Sequence, residues 1–195
     1  MWKNKIISFA ERFQHPAWGL SHCKRVYELC TELANDDPIV DMDSIFASAY
    51  LHDIGAFEPY KKPELDHADV SFIEVVRVLI GVGFPSEKIP AVQDIIKGHM
   101  FYSEPNSNIE SIIFHDADTL EFMGIIGVTR LLSIVGLDNW TPDLKTAIDL
   151  IKKYSEDLIN RLYTEKARAL GQIRKEEMEL YLELLSKETY EMKLL

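Results

Sequence analysis

The sequence predicts an all-α protein. Apolar residues recur at three- and four-residue spacing through nearly all of its 195 residues, and the breaks between those stretches hold Pro, Gly, Asn and Asp. No stretch shows the period-two alternation of a half-buried strand.

The first helix places Trp2, Ile6, Phe9, Ala10 and Phe13 on one face, and His15-Pro16 breaks it. A second runs from about 21 to 35, with Ser21 as the expected cap and Val26, Leu29, Leu33 and Ala34 as its stripe. Asn-Asp-Asp-Pro at 35–38 is a turn. A third helix covers about 43 to 53 through Ile45, Phe46, Ala49 and Tyr50. Gly55, Pro59 and Pro63 make 55–65 a loop. A fourth helix spans about 66 to 80 and stops at Gly81-Val82-Gly83. A fifth spans about 89 to 99, with Pro90 tolerated in its first turn. After a loop at 101–108, a sixth runs from 109 past Leu120, interrupted near Gly124 and Gly127. Thr141-Pro142-Asp143 starts the helices that fill 144 to about 185.

At this length the chain reads as one domain, or as a domain with a helical extension. Hydrophobic residues at 47% and aromatics at 10% suit a soluble protein with a real core. The net charge of −11, from 32 acidic and 21 basic residues, argues against a nucleic-acid polymer or an anionic membrane as partner. It leaves room for a local basic pocket that holds a phosphate. The two cysteines, Cys23 and Cys30, make no disulfide framework or zinc-finger spacing, which fits a reducing, cytoplasmic location. The first thirteen residues do not read as a signal peptide, because Glu11 and Arg12 interrupt the spaced apolar residues. No run approaches the ~18 apolar residues that span a bilayer. Neither an internal repeat nor a low-complexity linker is visible.

The functional signal lies in Ala49-Tyr50-Leu51-His52-Asp53-Ile54-Gly55. Imidazole and carboxylate are both ligands for a divalent cation. Adjacent residues on a helix point about 100° apart, so this pair converges only where a helix ends. Gly55 would supply that end through a left-handed conformation. A buried His-Asp pair needs a partner to offset desolvation, and a metal ion is one. Four other residues can join them: His22 on the second helical pattern, His67 at the start of the fourth, His99 at the end of the fifth, and an Asp in Phe114-His115-Asp116-Ala117-Asp118-Thr119-Leu120. His15 and His115 are read as non-ligands.

Ser21-His22-Cys23-Lys24-Arg25-Val26, Leu51-His52-Asp53-Ile54-Gly55 and Asp116-Ala117-Asp118-Thr119-Leu120 together resemble the HD-domain metal-dependent phosphohydrolase superfamily. The resemblance implies an HD-domain helical bundle with a C-terminal helical extension. The metal-binding core would lie at about 15–135 and further helices at about 141–190, all within one HD domain at 1–195. It implies His22, His52, Asp53 and Asp118 as metal ligands, with Asp118 preferred to Asp116 because a residue and then Leu follow it. His67 and His99 match histidines that hold a second metal in some branches. The cofactor would be one or two divalent ions, and this donor set suits Mn, Fe, Co, Ni or Zn rather than Ca.

Such an ion lowers the pKa of bound water and offsets charge on a phosphoryl oxygen. The expected reaction is hydrolysis of a nucleotide or other small phosphate ester or anhydride by attack of metal-bound hydroxide. Asp53 and Glu58 are the expected catalytic groups, Glu58 for proton transfer. Candidate phosphate-binding cations are Lys24 and Arg25 near His22, then Lys61, Lys62, Lys97 and Arg130. Arg130 lies in a Gly127-Val128-Thr129-Arg130 segment similar to one in nucleotide-cleaving members.

The chain lacks the Gly-Tyr-Pro element of the cyclic-di-GMP phosphodiesterases. It has Ala56-Phe57 where the alarmone hydrolases carry Glu-Asp, and it is far shorter than the large dNTP triphosphohydrolases. Small stand-alone hydrolases remain. Two other readings stay open: an HD-type di-iron oxygenase, and a non-catalytic module that holds a nucleotide or metal. A homodimer is only a guess, because no residue reads as an oligomer contact.

Overall fold

The computed structural model describes residues 1–193 and is all-α, with no strand among them. The chain divides after Asp118 into two compact units. The first holds α1 (Trp2–Ala10), α2 (Leu20–Ala34), α3 (Met42–Leu51), α4 (His67–Val82), α5 (Ile89–Lys97) and most of α6 (Ile109–Leu120). The second holds α7 (Gly124–Ser133), α8 (Leu144–Asp157) and α9 (Glu165–Glu188). Among the described residues, no helix is long and apolar enough to cross a membrane.

The first unit is built around α3. Every residue from Ser44 to Leu51 is buried, the condition of a helix apolar on all sides. Its two buried serines are satisfied locally: Ser44 Oγ donates to Asp41 Oδ2 at 2.8 Å and Ser48 Oγ to the Ser44 carbonyl at 2.9 Å. Asp41 caps the helix, its Oδ1 accepting from the amides of Asp43 and Ser44 at 3.1 and 3.4 Å. α1, α2 and α5 all pack on α3, and α4 packs on α5. α2 contributes the stripe Val26, Leu29, Leu33 and Ala34 expected from its spacing. Burying a Val or Leu side chain of this kind stabilises by roughly 1.5–3 kcal/mol.

Three expectations need correction. Ser21 does not cap α2. The N-cap is Gly19, with no side-chain bond, and the entry is shaped by His15, whose Nδ1 accepts from the amides of Ala17 and Trp18 at 3.2 and 3.3 Å. Gly55 is not left-handed. It sits in a short 3-10 turn, Ile54–Ala56, where a Cβ would stand 2.3 Å from the His67 carbonyl oxygen and 2.9 Å from the Ser71 amide. Glycine is required there because α4 crosses at backbone contact. The break in the sixth helical pattern falls at 121–123, Gly124 (φ +71°) opens α7, and α7 runs through Gly127.

In the second unit α7, α8 and α9 pack on one another. Asp143 caps α8 by accepting from the Thr146 amide at 2.7 Å, so the start read from Thr141-Pro142-Asp143 holds. Glu177 on α9 accepts from the Ile125 amide at 3.3 Å, which satisfies a free donor of the first turn of α7.

Candidate metal centre

α3 ends on the pair that the sequence singles out. His52 is still helical, but Asp53 turns out of the helix at φ −98° and ψ 6°. That departure lets two adjacent side chains converge. His52 Nε2 lies 3.2 Å from Asp53 Oδ2. From α2, His22 Nε2 reaches 3.1 Å from His52 Nε2 and 3.6 Å from Asp53 Oδ2. From α6, Asp118 Oδ1 lies 3.3 Å from His22 Nε2 and 3.8 Å from His52 Nε2.

The other oxygen of Asp53 faces a second pair. His67, the first residue of α4, brings Nε2 within 3.3 Å of Asp53 Oδ1. His99, just beyond α5, brings Nε2 within 3.7 Å of the same oxygen. Donor atoms lie within 4.8 Å of one another in three sets: His22, His52 and Asp53; His52, His99 and Asp118; and Asp53, His67 and His99. The six side chains therefore form one contiguous cluster, with the Asp53 carboxylate between its two sides.

This donor set fits divalent metal. Ligands at ~2.1 Å from a first-row ion stand roughly 3.0 Å apart at octahedral angles and 3.4 Å apart at tetrahedral ones; the separations above start near those values, at 3.1 Å, and reach 3.8 Å. Backbone contacts aim the rings: His52 Nδ1 donates to the Ala49 carbonyl at 3.1 Å and His99 Nδ1 to that of Ile96 at 2.7 Å. Each Nε2 then presents its lone pair inward. His99 Nε2 and Asp118 Oδ1 are buried without a hydrogen-bond partner, a costly state that an ion would relieve.

The carboxylates are tuned for cations. Burial works to raise Asp53, but the imidazoles of His52, His67 and His99 around it hold it well below the usual range. Burial opposes the shift of Asp118 too, yet His22 draws it down to about 2. Burial would lower His67, and Asp53 raises it instead.

The structure brings together all six expected ligands and includes Asp118 in the cluster. Asp116 is fully buried on α6 and belongs to none of the three sets. The other expected residues are dispersed. Glu58, Lys24, Lys61 and Lys62 are exposed, and Arg25 is half-buried on α2. Lys97 pairs with Asp69, tying α5 to α4. Arg130 is buried in the second unit, donating to the Glu121 carbonyl at 2.8 Å and lying 4.6 Å from the centre of the Phe122 ring.

Two residues to which the sequence assigned no site role flank the cluster. Asp66 caps α4, and its Oδ1 lies 3.5 Å from His67 Nδ1. Tyr102 donates to Asp66 Oδ2 at 2.7 Å. Asp66 was legible as a cap beside a histidine. Tyr102 gave no signal, because its partner is 36 positions away.

No curated protein sequence matches the chain. Among solved structures, Bacillus subtilis YpgQ in complex with ADP is similar over 95% of this chain and 97% of its own, at 23% identity and a TM-score of 0.71. A Lactobacillus plantarum protein is similar over 96% of both chains, at 21% identity and a TM-score of 0.73. A Bacillus thuringiensis protein described as an HD-superfamily hydrolase is similar over 95% of both, at 22% identity and a TM-score of 0.68. At these identities the likeness speaks to the fold. The family assignment comes from the sequence: the HD domain family matches residues 19–123, more than half the chain and all six clustered side chains, and the chain belongs to the HD domain family.

Proposed function

We propose that the chain is a metal-dependent phosphohydrolase acting on a nucleotide or another small phosphate ester or anhydride. The observation that carries this reading is the division of the Asp53 carboxylate, one oxygen toward His22 and His52 and the other toward His67 and His99. A carboxylate used at both oxygens suits a two-metal site. His22, His52, Asp53 and Asp118 would hold one ion, and Asp53, His67 and His99 a second. When bound, divalent metal supplies a water of lowered pKa and positive charge against phosphoryl oxygens.

The remaining roles fall to the chain's own residues. The backbone bonds from His52 and His99 fix the tautomers, and burial excludes bulk water from His22, His52, His99 and Asp118. Arg25 follows His22 by three positions on α2 and is the cation most suited to a substrate phosphate. Glu58, exposed in the segment after the His-Asp pair, is the proposed proton-transfer group. Hydrolysis joins a water oxygen to phosphorus, breaks the bond to the leaving oxygen and returns a proton to that oxygen. That YpgQ was solved with ADP supports a nucleotide as the substrate class here.

Phosphate or pyrophosphate release from a nucleotide panel, with and without added manganese, tests the proposal. The expected result is metal-stimulated release that His52→Ala and Asp53→Ala both abolish. Full activity in either variant would refute the site. The presence of four histidines, two of them on the far side of Asp53, also suits the di-iron oxygenase reading. Oxygen consumption without phosphate release would favour that alternative, and saturable nucleotide binding without turnover would favour a binding module.

A further inference from the structure

His67 differs from the other three clustered histidines. Its side chain is 25% exposed, whereas those of His22, His52 and His99 are 1% exposed or less. It also opens a helix, so no preceding turn confines it. Packing therefore fixes this ring least. The backbone carbonyls that orient His52 and His99 have no counterpart in the interactions of His67. What faces its outer nitrogen is a carboxylate, Asp66 Oδ1 at 3.5 Å.

Asp66 is itself held in place. Oδ1 accepts from the Ala68 amide at 2.8 Å as the cap of α4, and Oδ2 accepts from the Tyr102 hydroxyl at 2.7 Å. Tyr102 lies three residues beyond His99. One carboxylate thus connects the chain after one histidine of the Asp53 Oδ1 side to the ring of the other. Burial and the neighbouring carboxylates, Asp66 first, push the Tyr102 hydroxyl upward, so it stays a donor at neutral pH.

We propose that Asp66 and Tyr102 are positioning residues for His67, and that together they set the affinity of the set Asp53, His67 and His99 for its own metal ion. The proposal rests on the two-metal reading above. A carboxylate behind a ligating imidazole fixes its ring and raises its basicity. Removal of such a partner weakens metal binding by on the order of 10–100-fold.

The test is a cobalt(II) titration of the metal-free full chain, followed by visible absorption, for wild type, Asp66→Asn, Tyr102→Phe and His67→Ala. Asparagine caps helices about as well as aspartate, and Tyr102→Phe removes one hydroxyl from a ring that is 51% exposed. Metal-free melting should therefore stay near wild type in both. The expected result is a two-step wild-type titration whose second step is lost in His67→Ala. In Asp66→Asn and Tyr102→Phe that step should weaken by on the order of 10–100-fold, with the first step unchanged. If His67→Ala loses the second step while both other variants keep it at wild-type affinity, the positioning role is overturned and the two-metal reading stands. If His67→Ala titrates like wild type, the two-metal reading falls and the inference with it. Should Asp66→Asn fail to fold, Tyr102→Phe alone decides.

Discussion

Gly55→Ala should damage fold and metal centre together, because α4 crosses the 3-10 turn at backbone contact. The added Cβ would stand 2.3 Å from the His67 carbonyl oxygen, 2.8 Å from Val70 Cβ and 2.9 Å from the Ser71 amide, against the 3.0 Å that Cβ atoms keep. Two of these neighbours are backbone atoms of the first turns of α4 and cannot rotate away. The same glycine amide donates to Ser71 Oγ at 2.9 Å, so any shift also strains that bond. Alanine gains about 0.4–1 kcal/mol by stiffening the unfolded chain, but overpacking of a buried site costs about 1–3 kcal/mol, and the clash wins. Relief requires α4 to move by roughly 0.7 Å, several times the ~0.2 Å tolerance of a metal–ligand distance. His67 is the residue displaced. The expected outcome, read by melting of the metal-free protein and by metal titration, is a melting point lower by up to roughly 10 °C and loss of the weaker of two metals. A variant with wild-type melting and two retained metals would refute this account of the contact.

Two further outcomes follow from ion pairs outside the cluster. Burial would raise Asp41, but the hydrogen bond from Lys88 and its helix-capping bonds lower it, and the hydrogen bond from Lys3 lowers Asp43. Carboxyls lowered in the folded state contribute stability that is fully present above their ordinary value of 3.8 and is lost as pH falls through the folded value. Melting of the double variant Asp41→Asn, Asp43→Asn should therefore fall less steeply than wild type below about pH 4; parallel curves would contradict the assignment. Arg130→Met leaves Glu121, which is 1% exposed, without the guanidinium 3.8 Å away. Denaturant unfolding should show a loss of about 1–3 kcal/mol, from the missing hydrogen bond to the buried Glu121 carbonyl, whereas a role confined to substrate phosphate would leave stability unchanged and raise KM.

What the sequence disclosed depends on how local each cause was. Helical periodicity and the caps Asp66 and Asp143 are local, and the helices followed. α3 is a partial exception: it is buried on every side, so its apolar residues have no polar face to contrast with, and its cap Asp41 was not read. The His-Asp pair at the end of an apolar helix was legible because it is expensive without a partner, and the rest of the six clustered side chains were picked out by the resemblance of their motifs to the HD domain. Gly55 was noticed for the wrong reason. Its need is a close crossing by α4, a tertiary fact, and it was read as local left-handed geometry. Ser21 looked like a cap by type, but the turn around His15 starts α2 earlier, at Gly19. Arg130 and Lys97 were read as available cations; the fold pairs one with Glu121 and the other with Asp69. Tyr102 meets Asp66 only once α4 and the segment after α5 are folded together.

The most direct test of the central claim is anomalous diffraction from crystals of the chain grown with manganese. The expected map has two peaks that share Asp53, one among His22, His52 and Asp118 and the other beside His67 and His99. A single peak would reduce the centre to a mononuclear site. No peak near Asp53 at saturating manganese would contradict the metal centre itself, and with it the proposed hydrolysis.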